Sequence, residues 1–97
     1  MPEFSQPFSG VRFDRKMNKE ELIRAIRFMV SAEYEAVQMY TQLAESIDDK
    51  LAQKVLLDIA DEEKVHAGEF LQLLILLSPE EEKFYQEGYK EVQEMME

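Results

Sequence analysis

Cysteine is absent from this 97-residue chain, which excludes a disulfide framework and any cysteine cluster for a redox metal. The N-terminus has no basic stretch leading into an apolar run, so nothing marks the chain for export and a cytoplasmic protein is expected. Long apolar runs are missing too. The longest candidate, Phe70 to Leu77, is interrupted by Gln72, and no membrane span is expected. Positive charge is scarce, with 11 Lys and Arg against 21 Asp and Glu and a net charge of −10. Nucleic acid, which needs a clustered basic surface, is therefore not an expected partner. The acidic excess mainly solvates the outer faces of long helices, although its field also enriches divalent cations. Histidine occurs once, at position 66.

The remaining composition, 45% hydrophobic and 33% charged, describes one small globular unit. Residues 1–17 stand apart. They hold Pro2, Pro7 and Gly10, three of the six phenylalanines (Phe4, Phe8 and Phe13), and no helical period. An extended arm docking on a neighbouring subunit is the expectation, because phenylalanines suit a solvated tail poorly. Residues 18–97 read as an all-α domain of three helices, about 18–47, 49–77 and 79–96. Asn18 followed by Glu21 has the spacing of a capping box at the first start. Ser78, Pro79 and Glu81 repeat that signature at the third. Asp48 and Asp49 mark the turn between the first two.

The apolar stripe of the first helix comprises Leu22, Ile26, Met29, Ala36, Val37, Tyr40, Leu43, Ala44 and Ile47, and Glu33 falls in its one gap. The second helix carries Ala52, Val55, Leu56, Ile59, Ala60, Ala67, Phe70, Leu73, Leu74 and Leu77, interrupted by Glu63 and His66. Bundle proteins that bind two irons or manganese ions take a Glu from each of two helices and a Glu-x-x-His pair from each of the other two. This chain has one of each. With no second histidine, two chains must share one site. A lone antiparallel hairpin, each arm about 45 Å long at 1.5 Å per residue, also cannot cover both stripes, so dimerisation into a four-helix bundle is expected on separate grounds.

Hard carboxylate oxygens that bridge metals, capped by a neutral imidazole, suit iron. An isolated Glu-x-x-His occurs often by chance in helices, and its weight here comes from lying inside an apolar stripe opposite Glu33. Glu62, at the stripe's edge, more simply faces water. Glu35 lies about 200° around the helix from Glu33 and cannot join the same site. Tyr40, two turns from Glu33 on the same face, is either an ordinary core tyrosine or a hydrogen-bond donor behind a ligand carboxylate. The methionines, Met17, Met29 and Met39 among them, read as gap-filling side chains.

The run Ala32-Glu33-Tyr34-Glu35-Ala36-Val37-Gln38-Met39-Tyr40, followed by Asp61-Glu62-Glu63-Lys64-Val65-His66, resembles the signature of the encapsulated ferritins, the ferritin-like cargo of encapsulin nanocompartments. The resemblance covers roughly Asn18 to Leu77. It implies a half ferritin-like bundle whose Glu33, Glu63 and His66, from each of two subunits, build a di-iron ferroxidase centre. It further implies a homo-oligomer of dimers, a decameric ring in the best-known members, delivering ferric iron to an encapsulin shell, and it favours a place for Tyr40 near the metals. Ala32 departs from the pattern, since relatives carry an acidic residue there for metal uptake, and only Glu35 of that uptake position is matched. A rubrerythrin-like peroxidase with an external electron donor is the alternative enzyme. A non-catalytic helical dimerisation module, its polar network built around a structural zinc, is the alternative from another class.

Overall fold

Helix α1, Lys19–Glu45, starts where the sequence places a cap. In the computed structural model, which describes residues 15–97, Asn18 Oδ1 accepts from the Glu21 backbone N–H at 2.9 Å, and Glu21 Oε1 accepts from the Asn18 N–H at 3.0 Å. Both donors would otherwise be orphans of the first helical turn. Arg15 grips the same Glu21 carboxylate with both terminal nitrogens, at 2.6 and 2.8 Å. That guanidinium, helped by the Asn18 N–H, holds the Glu21 carboxyl at about 2. Most of the expected arm, residues 1–14, lies outside the described residues.

Helix α1 ends two residues before Ile47, at Glu45, where the Ser46 N–H donates to the Leu43 carbonyl and the Ser46 hydroxyl to the Gln42 carbonyl at 2.7 Å. Helix α2, Lys50–Leu77, is capped by Asp49, whose Oδ1 accepts from the Ala52 N–H at 2.9 Å. The turn is locked by Gln53, whose side-chain amide donates to the carbonyls of Ala44 and Ile47 at 3.2 and 2.6 Å. The first is a free carbonyl in the last turn of α1 and the second lies in the connecting turn, and the amide satisfies both without a charge.

The two helices pack antiparallel along a seam spaced by alternating threes and fours. On α1 the seam runs Ile23, Ile26, Val30, Glu33, Val37, Tyr40 and Ala44; on α2 it runs Leu56, Ala60, Glu63, Ala67, Phe70, Leu74 and Leu77. All are buried or half-buried, and that period keeps one face of each helix on its partner over several turns. The buried points are Ala25, Ile26, Val30, Ala44, Ala60, Ala67 and Leu74, mostly small side chains that let the backbones approach.

The broad stripes read from the sequence divide here. Leu22 and Leu43 on α1, and Val55 and Leu73 on α2, are 37 to 50% exposed, because they sit one step off the seam on a second flank that the hairpin does not cover. His66 lies on that flank.

Helix α3, Pro79–Met95, starts at the expected residue but without the expected capping box. Ser78 makes no side-chain cap. It is already the C-cap of α2, with ψ near 76° rather than extended, and the Glu81 carboxylate does not reach back to it. Glu81 instead pairs with Arg27 of α1 and accepts from the Tyr85 hydroxyl. That latch ties α3 to the hairpin, and no residue of α3 is buried. Among the described residues no helix is long and apolar enough to cross a membrane.

Candidate metal centre

Glu33 enters the site from the middle of α1, and Glu63 and His66 enter from the middle of α2, three residues apart on one helical side. Gln53 locks the turn that joins the two helices, so the registry of the seam fixes their mutual height. One ligand atom from each of the three lies within 4.8 Å of the others. His66 Nδ1 stands 3.7 Å from Glu33 Oε1 and 3.6 Å from Glu63 Oε2. These distances exceed a hydrogen bond. Donors sharing one ion at about 2.1 Å stand about 3.0–3.5 Å apart, so a small closure would bring all three onto a common cation.

The Glu33 side chain is 16% exposed and that of Glu63 19%, while His66 is 49% exposed. Glu33 Oε2 is buried and has no hydrogen-bond partner. Two carboxylates converge on one imidazole with no lysine or arginine among them, and an ionised carboxylate held away from water needs a compensating positive charge. Oxygen and nitrogen donors of this kind suit iron, manganese or zinc. The donor set and the orphaned oxygen therefore fit a metal ion.

The other expected residues fall differently. Glu35 and Glu62 are exposed and belong to no shared ligand group with the three. Tyr40 is half-buried on the seam, about 10 Å along the α1 axis from Glu33 at 1.5 Å per residue. No hydrogen bond joins it to the unpartnered Glu33 oxygen. Glu69 was not singled out from the sequence. It borders the same cavity, of about 330 Å³, with Glu33, His66, Phe70 and Leu73. Its one sequence signal is its place a single turn beyond His66.

An antiparallel helical hairpin that turns a Glu from one helix and a Glu-x-x-His pair from the other toward one cavity is half of a ferritin-like carboxylate bundle. The rubrerythrin family model matches residues 22–97. The chain is 42% identical over 82 residues to the ferritin-like-encapsulin shell fusion protein of Pyrococcus furiosus, an alignment covering 84% of this chain and 24% of that one. It is 36% identical over 81 residues to the encapsulin nanocompartment cargo protein EncC of Myxococcus xanthus, covering 84% of this chain and 61% of the other. This chain thus spans less than two thirds of either relative. The crystal structure of the encapsulated ferritin domain from Pyrococcus furiosus superposes with a TM-score of 0.83 at 40% identity, covering 89% of this chain and 88% of that one. The chain belongs to the rubrerythrin family and, among ferritin-like proteins, to the encapsulated ferritins.

Proposed function

We propose that this chain is a ferroxidase subunit in which two copies share one di-iron site. The buried, unpartnered Glu33 oxygen on the seam, beside Glu63 and next to His66 on the flank that the hairpin leaves uncovered, carries the reading. Pairing two such flanks buries Leu22, Leu43, Val55 and Leu73, completes a four-helix bundle, and doubles the ligand set to the number that such bundles use. Glu35, exposed and off the cavity, takes part at most in metal uptake from outside.

Iron is substrate in this scheme: two Fe(II) ions each lose one electron, and dioxygen takes the pair. Glu33 and Glu63 supply anionic oxygens that favour the more highly charged product, in a site partly withdrawn from water. His66 supplies a neutral nitrogen and limits the number of hard ligands, so the product is not held permanently.

The names of the two curated relatives, a shell fusion and a nanocompartment cargo, support an encapsulin shell as partner and the lumen of such a shell in the cytoplasm as location. The homo-oligomer is then a ring of dimers, a decamer by likeness to the family. The match to the rubrerythrin model favours one competing reaction, reduction of hydrogen peroxide at the same ligands. With no cysteine in the chain, that reaction requires an external electron donor.

Anaerobic ferrous titration followed by air, with oligomer mass read on the same sample, tests the proposal. Saturation near one iron per chain and rapid oxidation are expected. Glu63→Ala and His66→Ala should lower the rate to that of iron in buffer while the helices persist by circular dichroism. Full activity in both variants would sink the assignment, and a faster rate with peroxide than with oxygen would favour the competing reaction.

A further inference from the structure

We propose that a cleft on the outer side of α1, lined by Arg24, Arg27, Phe28 and Ser31, binds a small tetrahedral oxyanion of the phosphate class. Its volume is about 230 Å³. That is below the roughly 300–1,000 Å³ of sites for drug-sized ligands, and it suits a small ion with its waters rather than a peptide or a nucleotide. At 100° per residue Ser31 lies about 180° around α1 from Leu22, so the cleft faces away from the flank that carries His66 and stays open when two such flanks pair. The cleft and the metal centre are therefore separate sites.

The donors are two guanidiniums one helical turn apart. Arg24 is exposed, and its guanidinium makes no hydrogen bond or ion pair among the described residues. Its charge reaches Glu21, but that carboxylate is already gripped by both terminal nitrogens of Arg15. Arg27 spends only Nη2 on Glu81, and a guanidinium carries five N–H donors in a planar fork that matches two oxygens of a phosphate. The Ser31 hydroxyl gives its proton to the Arg27 carbonyl at 3.3 Å, so it adds no donor and arginine alone holds the anion. Glu20 and Glu35, one turn before Arg24 and one turn beyond Ser31, stay off the cleft. Its wall thus carries two cations and no acid, in a chain whose net charge is −10. Half-buried Phe28 sets an apolar surface beside both charges, and a low-dielectric wall strengthens their field. Arg27 serves both the cleft and the latch to α3, so a bound anion competes with Glu81 for it.

The test is a titration of inorganic phosphate into the metal-free full chain at constant ionic strength, read by the phosphorus NMR linewidth of the phosphate. Saturable broadening with a Kd in the millimolar range is expected for a small anion on two exposed arginines. Arg24→Gln should weaken binding on the order of tenfold, and Arg24→Lys should recover only part of it, because an ammonium cannot form the fork. Glu81→Gln should tighten binding by about twofold to fivefold, since it frees Arg27. Lys54→Gln, at the turn end of the hairpin, should match wild type. Glycerol phosphate separates the sources of the anion: equal affinity supports a phosphoryl group on a carrier, and weaker affinity supports free phosphate. Phosphate that shows no saturable broadening, or that binds Arg24→Gln as tightly as wild type, overturns the proposal. So does a loss in Lys54→Gln as large as that in Arg24→Gln, which would reduce the effect to net charge. Unchanged affinity in Glu81→Gln would remove Arg27 and with it the two-guanidinium site. Acetate that competes on equal terms overturns the proposal as well, because the cleft would then be a general contact for carboxylates. With no metal in the sample, none of these outcomes bears on the ferroxidase reading.

Discussion

The hairpin and the third helix are built on opposite terms. Along α1 and α2 an apolar seam buries Leu74 to 2% exposure and Ala60 to 2%, and carboxylates enter it only where Glu33 and Glu63 replace apolar residues. On α3 the large apolar side chains stay outside: Phe84 is 69% exposed, Val92 57% and Met95 79%. What holds α3 to α1 is a charged latch, Arg27 to Glu81 to Tyr85. Burial fixes the registry that a metal site demands, because slipping one residue along the seam would move Glu33 by about 1.5 Å and turn it by about 100°. A latch of exposed charges fixes only a direction, and weakly.

The sharpest way to break that contrast is to truncate one apolar side chain in each region. Leu74→Ala should destabilise the protein by about 2–5 kcal/mol in urea unfolding, since a fully enclosed side chain leaves a cavity. Met95→Ala in a single chain should change stability by less than about 0.5 kcal/mol. A Met95 effect as large as that of Leu74 would mean that α3 is buried against a neighbour in solution. The next effect concerns the seam's own exception. Glu33→Leu should stabilise the metal-free protein by about 1–4 kcal/mol, because a well-packed apolar group replaces a carboxylate with an orphaned oxygen. The same variant should lose Co(II) binding. Lower stability in the metal-free Glu33→Leu protein would show that the carboxylate is compensated in some other way.

Much of this contrast is legible in the chain itself. Asn18 with Glu21, Asp49, and Pro79 after Ser78 announce the helix starts, since capping is a short-range matter of one or two side chains. The convergence of Glu33 with Glu63 and His66 follows from interruptions of two apolar stripes, given an antiparallel hairpin. The division of each stripe into a covered seam and an open flank is not legible, because hydrophobicity records that a face is buried and not by which partner. Glu81 shows a second limit. Its spacing from Ser78 reads as a capping box, yet Arg27, 54 residues away in sequence, claims the carboxylate. Glu69 shows a third, for an exposed glutamate on a helix looks like any solvating residue until the cavity beside it is seen. Gln53, which locks the interhelical turn, gives no sequence signal that separates it from its neighbours.

The smallest effect is the most specific to the latch. Hydrogen bonding to Arg27, reinforced by the Tyr85 hydroxyl against the cost of partial burial, lowers the Glu81 carboxyl from its usual 4.5. The same carboxylate, together with burial, raises the Tyr85 phenol above its usual 10.0. The two shifts act at opposite ends of the pH scale. Glu81 contributes attachment that is complete above about 4.5 and is lost as pH falls through its lowered value. Tyr85 braces the Glu81 carboxylate from within α3, a support that is complete below about 10 and is lost as pH rises through its raised value. Chemical shifts of α3 should therefore be flat between those limits and move at both extremes, while those of the α1–α2 seam near Ala60 and Ala67 stay fixed until global unfolding. Arg27→Ala should remove most of the acid-side inflection and weaken α3 attachment by about 0.2–1 kcal/mol, the range for an exposed ion pair. An α3 whose shifts in Arg27→Ala follow the wild-type acid profile would mean that burial against another surface, and not the latch, sets its position.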